Sequence, residues 1–314
     1  MKDPALSLAE LREKIDSELL SLPPATKNPL FYDPIYYVNN LGGKKLRPLL
    51  TVICGLAVGG AVENLLSASA AIELLHNFSL VHDDIMDNDE TRRGKPTVHI
   101  KWDLGTAVLA GDGLLGLAYR KLLNTPNRND NALVSLFTDA VIEICEGQAL
   151  DKTFETAEFV TEAEYMTMIG KKTATLIRLA CQIGGIIGGG DNEQVESLAK
   201  YGFQIGLGFQ IQDDLLDILA DEKKLGKKVG SDFAMNKKTI ASIKLSEKID
   251  RDKLLNINLN DFRDLLSHHE IIELIEKTID SHFDRGCEYL KTIPGSDAKK
   301  LLLDLTDSLQ SREM

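Results

Sequence analysis

Residues 82–99 read HDDIMDNDETRRGKPTVH, crowding Asp83, Asp84, Asp87 and Asp89 immediately ahead of Arg92, Arg93 and Lys95. Like charges at helical spacing repel one another, so the arrangement makes physical sense when something cationic sits between the carboxylates. Asp83 and Asp87 are four residues apart and share one helix face, with Asp84 about 100° around. The segment before them, ASAAIELLHNFSLV, is apolar enough for an interior helix, which places the acids where a buried helix opens into a cavity. One such cluster alone reads equally well as a helix end with solvated acids. A second decides the matter: FQIQDDLLDIL repeats the spacing with Asp213, Asp214 and Asp217, again on an apolar helix. Two inward-facing acidic rims destabilise each other unless hard cations bridge them, and Mg²⁺ is usually held by a few carboxylates together with substrate phosphates. The pair implies a metal-held phosphate ligand between two helices.

Basic residues fit that inference. GGKKLRP offers Lys44 and Arg47, TRRGKP offers Arg92 and Arg93, and GKKT and GKKVGSD offer Lys172 and Lys227. Arginine supplies a planar fork for phosphate oxygens and lysine a compact charge. Singly, each is an ordinary surface cation; together with both rims they read as sockets for more than one anionic group.

Other patterns fall away on inspection. GIIGGGD and GFQIGLGFQ follow no strand and complete neither phosphate-loop nor dinucleotide fingerprint, so their glycines are helix-ending or close-packing. DNDET cannot open an EF-hand, because Arg92 and Val98 stand where that loop needs glycine and glutamate. His268 and His269 are adjacent on an amphipathic acidic helix, a spacing that suits a solvated surface better than a metal site.

The positioning elements follow from periodicity. Apolar residues recur at three and four, as in Leu8, Leu11, Ile15 and Leu19, or Ile271, Leu274, Ile275 and Ile279, while period-two alternation is nearly absent. Breaks at LPPATKNP, GLAVGG, ETRRGKPT, LNTPNRND, GIIGGGDN, DEKKLGKKVGSD and TIPGSD divide the chain into about ten helices. The expectation is an all-α fold with one domain over residues 1–314, since no disordered linker separates two cores.

Composition is that of a globular protein, with 43% hydrophobic and 27% charged residues. A net charge of −12 argues against a nucleic-acid partner. The four cysteines lack metal-ligand spacing and are expected to be buried free thiols in a reducing compartment. The acidic, helical start is unlike a signal peptide, and no stretch is apolar over a bilayer's width, so a cytoplasmic location is expected.

The motifs GGKKLRP, LVHDDIMD with RRGKPTVH, AGDGLL, EGQALD, GKKT, FQIQDDLLD and GKKVGSD, in this order and spacing, resemble the trans-isoprenyl diphosphate synthases, or polyprenyl synthetases, over nearly the whole chain. The resemblance implies the isoprenoid synthase fold: a barrel of antiparallel helices around a deep central cavity, assembled as a homodimer. It also implies Mg²⁺-dependent head-to-tail addition of isopentenyl diphosphate to an allylic diphosphate such as dimethylallyl, geranyl or farnesyl diphosphate. By the same resemblance, Asp83, Asp84, Asp87, Asp213, Asp214 and Asp217 are ligands for three Mg²⁺ ions bound with the allylic diphosphate. Arg92, Lys172 and Lys227 match its cations, and Lys44, Arg47, His76 and Arg93 the isopentenyl diphosphate site. Lys237 joins the substrate-binding set, and the oxygens of Thr173 and Gln210 face the reacting carbons. His76 stands seven residues before Asp83, two turns earlier on the same face.

An elongating chain must grow away from the rim, beside the helix that carries it. Phe78, five residues before Asp83, lies roughly 7 Å deeper, where its ring could stop growth. With no two-residue insertion in the first acidic motif, this resembles the pattern of archaeal-type geranylgeranyl diphosphate synthases, with a C20 product. A plain core residue is the alternative for Phe78, and farnesyl or longer products are the alternatives for the enzyme. The tail SLQSREM has Arg312 but not the strongly basic end of some relatives. Three rivals differ at the level of function. A class I terpene cyclase needs no second-substrate socket, a non-catalytic prenyltransferase subunit usually lacks part of one acidic motif, and an acidic metal buffer has no use for ordered cations.

Overall fold

The structure, a computed structural model, describes residues 7–22, 28–126, 130–219, 233, 235, 237–250 and 257–311. Helices account for nearly all of the regular structure, as the three-and-four periodicity requires. The chain runs through α1 (Leu8–Leu20), α2 (Pro29–Asn39), α3 (Leu46–Ala57) and α4 (Val62–Met86). After a short hairpin come α5 (Val98–Lys101), α6 (Leu104–Leu123), α7 (Asp130–Thr156) and α8 (Glu162–Ile169). A π-helical turn, Gly170–Ala174, leads into α9 (Thr175–Ile187) and the long α10 (Asn192–Leu219). The remainder forms α11 (Ile240–Ser246), α12 (Leu259–His268), α13 (Ile271–Tyr289) and α14 (Asp297–Gln310).

Packing follows a series of neighbouring helices. α6 lies along α4, α4 along α3, α3 along α9, α9 along α10 and α10 along α13, while α7 is joined to the series mainly through the π-turn and α9. α3 and α9 are apolar on nearly every side, which is what interior helices must be; Leu49, Leu50, Ile53, Ile177 and Ile183 are fully buried there. One continuous apolar cluster runs from Leu11 of α1 to Leu309 of α14. The C-terminal ends of α4 and α10 carry the two acidic motifs, and Lys172 links them, acting on Asp83 and lining a cleft with Asp214. Among the described residues no helix is long and apolar enough to cross a membrane.

Two local features depart from the sequence reading. The break ETRRGKPT contains a hairpin, β1 (Thr91–Arg92) with β2 (Lys95–Pro96), paired antiparallel. Its turn residues Arg93 and Gly94 both have positive φ, 54° and 72°, the pattern of the tight turn that matches the twist of flanking strands. The thiols are free, as expected, but not all buried: Cys54 and Cys181 are, Cys287 is partly so, and Cys145 is exposed. The correction has a simple cause, since α7 packs mainly against the π-turn and α9 and so keeps part of its surface uncovered. The glycines of GIIGGGD end α9, with Gly189 at φ 82°. His268 is exposed at the end of α12, as the surface reading requires.

Candidate active site

α4 delivers the first acidic motif. Asp83 and Asp87 lie on one face at its C-terminal end, Asp87 capping the helix, whereas Asp84 turns inward and is buried. Asp84 Oδ1 accepts a hydrogen bond of 2.5 Å from Arg92 Nε, and Arg92 also reaches Asp89 at 3.4 Å. The hairpin explains the geometry: it folds Arg92 back onto the helix it has just left. Burial pushes Asp84 up to about 6 despite Arg92, and burial also raises Asp83, opposed mainly by Lys172. Asp87 stands between Lys237 at 3.3 Å and Lys152 at 3.7 Å, and among the described residues its Oδ1 makes no hydrogen bond. Each of these carboxylates faces a cation, Arg92 for Asp84, Lys172 for Asp83, and Lys237 with Lys152 for Asp87.

α10 delivers the second motif in the same pattern. Asp213 is exposed and Asp217 half-buried on one face, and Asp214 is turned into the protein. Both oxygens of Asp214 are engaged: Oδ2 accepts from the Tyr165 hydroxyl at 2.7 Å and Oδ1 from Gln210 Nε2 at 2.6 Å. With its amide nitrogen so held, Gln210 must present its carbonyl oxygen on the other side, where it accepts from the Thr173 hydroxyl at 2.8 Å. Sequence reasoning treats all six aspartates alike. The fold distinguishes them by burial and partner: Asp84 and Asp214 are buried, on Arg92 and on Tyr165 and Gln210, while Asp87 meets Lys237 and Asp213 is exposed.

The π-turn sets Lys172 and Thr173. Inserting one extra residue in the turn shifts side chains out of α-helical register, a device that recurs at functional sites. Gly147 of α7 allows the approach: a Cβ there would stand 2.3 Å from the Lys172 backbone nitrogen. Lys172 Nζ then reaches Asp151 of α7 at 2.5 Å and also acts on Asp83. Lys172, Thr173, Gln210, Asp214, Asp151 and Lys237 line one cleft of about 70 Å³.

A second group of cations gathers at the start of α3. Arg47 Nη1 lies 3.2 Å from His76 Nε2, and Arg93 donates to the Gly42 carbonyl. Burial pulls Arg47 down to about 10, still fully charged at neutral pH, with Glu73 opposing the shift. Burial, then Arg47 and Arg93, hold His76 well below the usual imidazole range, so it is neutral and its Nε2 accepts from Arg47. Lys44 is exposed on the adjoining loop. Asp213 also acts on Arg47, which brings this group to the edge of the second rim. Phe78 is 7% exposed on α4. Lys227 and Arg312 lie outside the described residues.

Clustered carboxylates, which are oxygen-only donors, suit a hard divalent cation. Among the described residues no three acidic, cysteine or histidine groups converge closely enough to hold one alone. Mg²⁺ takes one or two carboxylates and completes its shell with water and phosphate oxygens, a role the chemistry of these carboxylates allows.

The sequence profile of the polyprenyl synthetase family matches residues 28–275. The chain belongs to the polyprenyl synthetase family. Among relatives, a short chain isoprenyl diphosphate synthase from Methanothermobacter thermautotrophicus is 42% identical, covering 87% of each chain. A geranylgeranyl diphosphate synthase from Methanosarcina mazei is 38% identical and covers 95% of each. The crystal structure of the geranylgeranyl pyrophosphate synthetase from Pyrococcus horikoshii superposes with a TM-score of 0.92 at 36% identity, covering 98% of each chain. This polyprenyl synthetase therefore has the all-α isoprenoid synthase fold.

Sequence reasoning did not single out Tyr165, Asp151, Lys152 or the buried pair Lys45 and Glu73. Asp151 lies within the EGQALD motif and could have been found there. Tyr165 carries no local signal, because its partner is 49 residues away. Gln148, one turn before Asp151, is also buried, and its amide has no hydrogen bond among the described residues.

Proposed function

We propose that this prenyltransferase condenses isopentenyl diphosphate head to tail with allylic diphosphates, giving geranylgeranyl diphosphate, and that the whole chain forms one catalytic domain. The carrying observation is the hydrogen-bonded series Tyr165, Asp214, Gln210, Thr173, which fixes two oxygen dipoles beside Lys172 in the cleft next to the acidic motifs.

Asp83, Asp87, Asp213 and Asp217 would hold the Mg²⁺ ions, three by the family resemblance, that bind with the allylic diphosphate; Asp84 and Asp214 orient their neighbours. Bound Mg²⁺ neutralises the diphosphate and favours its departure. Lys172, Arg92, Lys227 and Lys237 stabilise the negative charge that develops on the leaving group as the allylic C–O bond breaks. The Gln210 carbonyl and Thr173 hydroxyl stabilise the resulting cation without attacking it, and the surrounding apolar helices exclude water. Arg47, Arg93, Lys44 and neutral His76 hold the diphosphate of isopentenyl diphosphate, whose double bond attacks the allylic carbon. The departed pyrophosphate takes the final proton, so no histidine base is needed. Phe78 ends the elongation path.

Two further readings accompany this. A homodimer is supported by exposed apolar side chains on α5 and α6, among them Ile100, Leu104, Val108 and Leu109, each at least 41% exposed. A cytoplasmic setting is supported by the four unpaired cysteines.

The test is turnover with labelled isopentenyl diphosphate, Mg²⁺ and each allylic primer, followed by chromatography of the products. A C20 diphosphate is expected. Release of terpene hydrocarbons from an allylic diphosphate without consumption of isopentenyl diphosphate would instead identify a cyclase.

A further inference from the structure

The Phe78 ring does not stand alone. One turn along α4, the His82 imidazole meets it edge to face, with ring centroids 4.8 Å apart and planes at 63°. His82 is in turn wedged against α6 at Gly111, where a Cβ would stand 2.1 Å from His82 Nε2. That nitrogen is buried and makes no hydrogen bond among the described residues. An imidazole held without a polar partner gains nothing from its nitrogen there, so what it contributes is the shape of its ring. The three groups form a stack: the α6 backbone at Gly111, the His82 ring, then the Phe78 ring. Because α4 and α6 pack along their length, the stack cannot relax by separating the helices without opening the core.

We propose that His82 and Gly111 set product length by fixing the position of the Phe78 ring. The proposal rests on the reading that Phe78 ends the elongation path. Neither residue needs to touch the growing chain. His82 supports the ring from behind, and the missing Cβ of Gly111 determines how far His82 withdraws toward α6. The two positions therefore act in opposite directions. Removing the imidazole lets the Phe78 ring retreat and lengthens the path. Adding a methyl at residue 111 drives the imidazole toward the ring and shortens it.

The experiment compares products from the full-length enzyme, Phe78→Ala, His82→Ala, Gly111→Ala and the double variant Phe78→Ala/His82→Ala, read as the ratio of C15, C20 and C25 diphosphates. A product ratio is independent of any loss of rate caused by the nearness of His82 to Asp83. His82→Ala is expected to shift products one isoprene unit longer, and Gly111→Ala one unit shorter. The double variant is expected to match Phe78→Ala alone, because His82 acts through that ring. If Phe78→Ala lengthens the product while His82→Ala and Gly111→Ala leave it unchanged, the proposal is overturned and the role of Phe78 stands. If Phe78→Ala itself changes nothing, both fall. Additive lengthening in the double variant also overturns the proposal, since it makes His82 an independent wall. Should His82→Ala not fold, Gly111→Ala decides: a shift to C15 supports the stack, and an unchanged ratio overturns it. A merely structural role for His82 lowers Tm and leaves the ratio alone.

Discussion

Lys45 Nζ and Glu73 Oε1 lie 3.2 Å apart at the start of α3, with 5% and 3% of their side chains exposed. Lys45 sits at the helix N-cap with φ 50°, so the turn that presents Lys44 on one side and Arg47 on the other is anchored to α4 by this bond. Glu73 is also the counter-charge that opposes the effect of burial on both Arg47 and Arg93. Removing one partner leaves a buried charge unpaired. Glu73→Gln is expected to cost about 3–5 kcal/mol, and replacing both Lys45 and Glu73 by methionine less, by the share due to an unpaired Lys45, because Arg47 and Arg93 lose their counter-charge in either case. Denaturant unfolding of the three proteins checks this, and equal losses in single and double variants would contradict it.

Both acidic motifs are expected to be needed for turnover. Asp83→Ala and Asp213→Ala should each lower kcat by on the order of a hundredfold or more, as loss of one strong electrostatic stabiliser does. Steady-state kinetics at saturating Mg²⁺ measure it. A near-normal rate in either variant would sink the two-motif mechanism. Asp214→Asn should act differently, by loosening Gln210 and Tyr165, and keeps part of the rate because an amide can still accept from tyrosine.

The two cation groups should separate kinetically. Arg47→Ala is expected chiefly to raise KM for isopentenyl diphosphate, because its contribution is felt equally before and during reaction. Lys172→Ala should chiefly lower kcat, because the group it faces gains charge as the C–O bond breaks. The reverse pattern would show that the sockets have been exchanged.

His76 gives the pH dependence a definite sign. Its folded-state pKa lies well below the unfolded value of 6.5, through burial and then Arg47 and Arg93. Below that unfolded value the unfolded chain takes up a proton that the folded chain resists. The stability that neutral His76 contributes is therefore present above pH 6.5 and is lost as pH falls toward the folded pKa. Tm followed downward from neutral pH should fall less steeply in His76→Gln than in the parent; parallel curves would remove His76 as the cause.

Helix placement was largely legible in the chain, because an apolar stripe at three and four is a local property that packing only has to satisfy. The acidic motifs were legible for the same reason, since spacing alone puts Asp83 with Asp87 and Asp213 with Asp217 on one face. The hairpin at Arg93 and Gly94 was not, because two residues per strand are too few to alternate. The π-turn was not either; the close approach of α7 to it is allowed by Gly147, 25 residues from Lys172.

By itself the sequence determined the all-α class, the family motifs and the inventory of charges, since each depends on residues within a turn or two of one another. Tertiary structure decided which partner each buried aspartate meets, Arg92 on Asp84 and Tyr165 on Asp214. It also brought Lys237 to Asp87 across 150 residues, and set His82 between Gly111 and Phe78. A side chain's partner is chosen by which helices pack together, and that choice is made by the whole core rather than by any local stretch of chain.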